Sequence, residues 1–72
     1  MAFQEYDTFM LSRPLQDLSV PVGTRGVVLM VLGGDPYEYE VEFPNNQGGN
    51  LGKSHTYTLT GSFMAKDFGG DR

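Results

Sequence analysis

The chain of 72 residues contains no cysteine and no tryptophan. Without cysteine it has neither a disulfide staple nor a thiolate zinc site, although chains this short often depend on one or the other to fold. Basic residues are scarce as well, five against nine acidic ones, for a formal net charge of -4. That balance is the opposite of a phosphate-binding footprint, so nucleic acid is not expected as a ligand. No apolar run approaches the ~20 residues that cross a bilayer. The start, Met1-Ala2-Phe3-Gln4-Glu5, lacks the basic region and apolar stretch of a signal peptide. No membrane association is expected, and the chain reads as soluble and cytoplasmic. It has a single histidine, His55, and no serine or cysteine motif to pair with it. General acid–base and nucleophilic catalysis both need an oriented second group, so no enzyme, cofactor or metal is expected.

What is present is enough apolar material for a core: 39% hydrophobic residues against 19% charged. From Tyr37 to Phe43 the chain alternates strictly, with Tyr37, Tyr39, Val41 and Phe43 on one face and Glu38, Glu40 and Glu42 on the other, the pattern of a half-buried strand. Thr24 to Leu32 is rich in valine and leucine, follows the turn signal Pro21-Val22-Gly23 and stops at Gly33-Gly34-Asp35-Pro36. It reads as a strand buried on both faces or bent around a core, and with its neighbour it makes a β-hairpin over Thr24 to Phe43. Ser54 to Thr60 alternates again, with His55, Tyr57 and Leu59 on one side and hydroxyl residues on the other. Tyr6 to Leu11 suits an opening strand.

Between these lie a wandering segment, Arg13 to Val22, pinned inward by Leu15, Leu18 and Val20, and a turn-rich loop, Pro44 to Lys53. Pro14 is placed to start one helical turn. After Gly61, Ser62 is placed to cap a short turn carrying Phe63 and Met64 before a last short strand. The expected architecture is one all-β domain over 1–72, with a core over about 6–67 and a frayed tail at 69–72. It is read as a closed barrel of about five antiparallel strands with a short 3₁₀ turn near the C-terminus. Closure would remove the exposed edges that make short β chains aggregate.

Asp7-Thr8-Phe9-Met10-Leu11, Val20 to Val28, Tyr39-Glu40-Val41-Glu42-Phe43 and Thr58-Leu59 together resemble a family of small bacterial SH3-like barrels of unknown function. Its members read roughly D-x-V-x-L, G-x-x-G-x-V, Y-x-V-E-F and T-L in that order. The Gly23-x-x-Gly26-x-Val28 step is also similar to the turn-and-strand element of the KOW motif and of the nitrile hydratase β-subunit barrel. The resemblance spans about residues 6 to 67. It implies an SH3-like barrel and transfers no catalytic residue. The acidic balance departs from KOW proteins, and the Pro44 to Lys53 loop is extended beyond the family's short turn.

The most conspicuous chemistry is the acidic ladder Glu38, Glu40 and Glu42. Three carboxylates at i, i+2 and i+4 stand about 7 Å apart on one strand face, where their repulsion is relieved by solvent, by a cation or by a basic partner. The plain reading is a solvated outer face. The sharper one is a docking patch that steers a basic protein, and one metal ion would need oxygens from elsewhere. Gly48-Gly49-Asn50-Leu51-Gly52-Lys53-Ser54 invites comparison with a phosphate-binding loop but puts Gln47 where the first glycine belongs, and a strand follows where a helix should. Asp7 is placed to hold a backbone amide, while Gly23 and Gly26 supply a positive φ or a close strand approach. Of nine aromatics, several must fill the core; Phe3, Tyr37, Phe63 and Phe68 are the candidates for exposure, where SH3-like modules hold extended peptides, with core or edge packing the plainer reading for each.

The expected function is therefore a non-catalytic protein–protein interaction module, monomeric or homodimeric. Its contacts are expected at Tyr37, Glu38, Glu40 and Glu42 and, in the long loop, Asn46 and Asn50. One version is a bacterial immunity or antitoxin-type protein that caps a basic toxin. An accessory or assembly domain of an enzyme complex is the alternative, and KOW-type RNA binding a third.

Overall fold

The computed structural model describes residues 3–16, 19–44 and 56–67. Among them the chain is all-β: five strands, β1 Thr8–Leu11, β2 Arg25–Gly33, β3 Glu38–Glu42, β4 Thr56–Thr60 and β5 Met64–Lys66, with a 3₁₀ turn at Gly61–Phe63. They form one antiparallel sheet in the order β4-β3-β2-β1-β5. The hairpin expected over Thr24 to Phe43 is β2 paired with β3. The opening strand is shorter than expected, because Tyr6 and Asp7 belong to a turn. There the Asp7 amide donates to the Gln4 carbonyl at 3.0 Å, and the Asp7 carboxylate accepts from the Gln4 amide at 2.8 Å.

The sheet is not closed, contrary to the barrel expected from the sequence. β5 pairs only with β1 and β4 only with β3, so the turn that connects them carries the chain from one edge to the other without joining those edges. Aggregation through β5 is limited instead by its length of three residues and by Lys66 at its end. Ser62 does not cap the turn. Thr60 occupies the cap position without a side-chain bond to the backbone, and its hydroxyl lies 2.8 Å from that of Ser62. No helical turn follows Pro14 among the described residues.

A continuous aromatic core does the work of the missing staple. Phe3 meets Tyr39 edge-on at 5.7 Å and Phe9 at 6.3 Å, Phe9 meets Phe43 at 5.6 Å, and Phe43 meets Tyr57 at 5.4 Å. Such edge contacts are each worth about 0.5–1.5 kcal/mol beyond area burial. Leu11, Leu15, Val20, Val28, Val41, Leu59 and Met64 complete the buried cluster. Phe3, one of the four candidates for exposure, takes the alternative and is buried, because its ring fills the space beside Phe9 and Tyr39 and its amide donates to the buried Tyr39 hydroxyl at 3.2 Å. Phe63 is half-buried against the core, with the Arg13 guanidinium 5.3 Å above its ring. Tyr37, another of those candidates, is exposed. Leu18 and Phe68 lie outside the described residues.

Two glycines behave as anticipated. Gly23 adopts φ +96 where the loop enters β2. At Gly26 a Cβ would come within 2.4 Å of the Phe9 ring, so the absent side chain is what lets Phe9 pack closely against β2.

Candidate functional site

The site builds up from β3. Its inward residues Tyr39 and Val41 are buried in the core, so period-two alternation forces Glu38, Glu40 and Glu42 to the outer face, the first exposed and the other two half-buried. Both neighbours of β3 are paired strands, and this fixes what surrounds each carboxylate. Glu42 lies between Val27 of β2 and Thr56 of β4, Glu40 between Met30 and Thr58, and Glu38 between Gly33 and Thr60. These flanking positions hold no cation. The Thr58 hydroxyl donates to Glu40 Oε1 at 3.2 Å, a contact that orients the carboxylate without neutralising it.

Adjacent carboxylates at this spacing repel by roughly 0.6 kcal/mol in water and by more beside a low-dielectric wall. Among the described residues none of the three is ion-paired. Of the basic side chains there, Arg25 pairs with Asp67 at 2.7 Å, Arg13 sits over Phe63, and Lys66 ends β5, which β1 and β2 separate from β3. No group of three His, Asp or Glu side chains among the described residues is arranged to hold a metal ion. No helix there is long and apolar enough to cross a membrane.

Of the residues expected to form the site, the structure brings together Glu38, Glu40 and Glu42 as a column. Tyr37 stands at its end, its ring 5.7 Å from that of Tyr39 and 48% exposed. Asn46, Asn50, the glycine-rich loop around them and His55 lie outside the described residues.

Four exposed apolar side chains were not foreseen from the sequence: Tyr6 at 74%, Val22 at 55%, Met30 at 52% and Leu32 at 46%. β2 was read as buried on both faces or bent around a core. Its pairing with β3 shifts register between Val28 and Met30 and again between Val31 and Gly33, and beyond the first shift Met30 and Leu32 stand in solvent while Val31 packs against the core. The run Val27-Val28-Leu29-Met30-Val31-Leu32 is apolar at every position and carries no period from which a bulge can be read. Comparison of the chain with protein families, with curated proteins and with solved structures finds no match in any of the three.

Proposed function

We propose that this chain is a non-catalytic protein-interaction module of the SH3-like type, and that it binds a basic protein partner through the outer face of β3. The observation that carries this reading is the column Glu38, Glu40 and Glu42, held on a strand paired on both sides and flanked by uncharged residues. A row of like charges with no counter-ion among the described residues attracts an opposite surface and speeds its encounter. The resemblance of Gly23 to Val28 and of Tyr39 to Phe43 to small bacterial SH3-like barrels supports the same class. In its most concrete form the module is an immunity or antitoxin-type protein that covers a cationic surface of a toxin in the cytoplasm.

Affinity capture from an extract of the source organism, with mass-spectrometric identification, tests the reading. The parent chain captures a protein with a basic surface, and the E38Q/E40Q/E42Q variant, isosteric and uncharged, releases it. Equal capture by both chains contradicts the proposal.

A further inference from the structure

The outer face carries a second column beside the acidic one. Met30 is the cross-strand neighbour of Glu40, and Leu32 lies in the bulge between Val31 and Gly33, the latter opposite Glu38. Paired strands run about 4.8 Å apart, so the two exposed apolar side chains lie alongside the carboxylates. Tyr37 stands in the turn where the two strands meet. On the other side of β2 the Tyr6 amide donates to the Val28 carbonyl at 2.7 Å, next to the first register shift, and this tyrosine holds φ +68, a conformation that L side chains other than asparagine and aspartate rarely adopt. Two exposed apolar side chains alongside three carboxylates are the composition of a contact surface rather than of a solvated face.

Resting on the interaction reading above, we infer that this face docks a basic amphipathic segment of another protein. Its lysine or arginine side chains lie on the Glu38–Glu40–Glu42 column, and its apolar side chains lie on Met30 and Leu32. Charge selects this occupant. A second copy of the chain would set one acidic ladder against another with -4 on each side, and anionic lipid or nucleic acid would meet the same repulsion. Exposed ion pairs alone contribute little, so the apolar column supplies affinity while the carboxylates supply orientation and rate.

The test is an NMR titration of the full chain with two synthetic peptides of equal length and charge, one an amphipathic lysine–leucine peptide and the other a lysine–glycine peptide. The lysine–leucine peptide binds about tenfold tighter, the effect of burying roughly one apolar side chain, and shifts the Met30 and Leu32 methyl signals. M30S/L32S changes only solvent-exposed side chains and abolishes that preference, whereas E38Q/E40Q/E42Q weakens both peptides. Equal binding of the two peptides, with M30S/L32S indistinguishable from the parent and the glutamine variant weaker, overturns the apolar column and leaves the acidic-face reading standing. If the glutamine variant weakens neither peptide, both readings fall. A concentration-dependent dimer in sedimentation that M30S/L32S disrupts places a second copy on the face and also overturns the inference.

Discussion

At the scale of single residues, two backbone positions set local strain. Gly26 is dictated by Phe9: a Cβ there would lie 2.4 and 2.7 Å from two ring carbons and 3.0 Å from the Glu42 carbonyl oxygen. Phe9 is fully buried and held edge-on by Phe3 and Phe43, so it has no room to retreat. Gly26→Ala therefore destabilises the fold by about 1–3 kcal/mol, the range of overpacked cores, and Phe9→Leu in the same chain recovers part of the loss. Denaturant midpoints of the single and double variants check both statements. Tyr6 is the opposite case, since its φ of +68 strains a residue whose ring is 74% exposed and contributes little burial. Tyr6→Gly relieves roughly 1–2 kcal/mol of left-handed strain and gives back about half of it as chain entropy. The net gain is about 0.5–1 kcal/mol, read as a thermal midpoint a few degrees higher.

At the scale of elements, β5 is the weak member. It has three residues and bonds to the sheet on the β1 side. Its continuation is tied down by Asp67, whose side chain is 4% exposed and accepts from Arg25 Nε at 2.7 Å and Nη2 at 3.4 Å. Arg25 belongs to β2, so the pair spans β1 and clamps the edge strand to the sheet interior. Arg25→Met keeps the aliphatic stem and removes the clamp. Amides of Met64 to Lys66 then exchange with solvent faster, by about fivefold for the ~1 kcal/mol lost, while those of β3 change little.

The same scale shows what could be read from the chain in advance. β3 and β4 were legible because Tyr39, Val41 and Leu59 alternate with glutamate or threonine, and a period of two has one structural meaning. β2 was legible as a strand but not in its facing, since six consecutive apolar residues define no face and the register shifts arise from pairing with β3. The burial of Phe3 was hidden for a related reason: its partners, Phe9 and Tyr39, are six and thirty-six positions away. The open sheet was equally hidden, because edge pairing between β4 and β5 is decided by the path of the chain around the core.

At the scale of the whole molecule, a cysteine-free chain of 72 residues is held by interlocking aromatic rings inside an open five-stranded sheet, and its excess negative charge is partly organised. Three of the nine acidic side chains stand in one column, flanked by threonines of β4 on one side and by Val27, Met30 and Gly33 of β2 on the other. The half of the proposed site legible in the sequence is the charged half, Glu38, Glu40 and Glu42. Its proposed apolar half, Met30 and Leu32, came with the bulges of β2. The most direct measurement is calorimetric titration of the captured partner into the parent chain and into E38Q/E40Q/E42Q at low and high salt. The account predicts that the glutamine variant binds at least about tenfold more weakly at low salt, the sum of two or three exposed charge contacts, and that the gap narrows as salt screens the parent. Equal affinity of the two chains at low salt would contradict it.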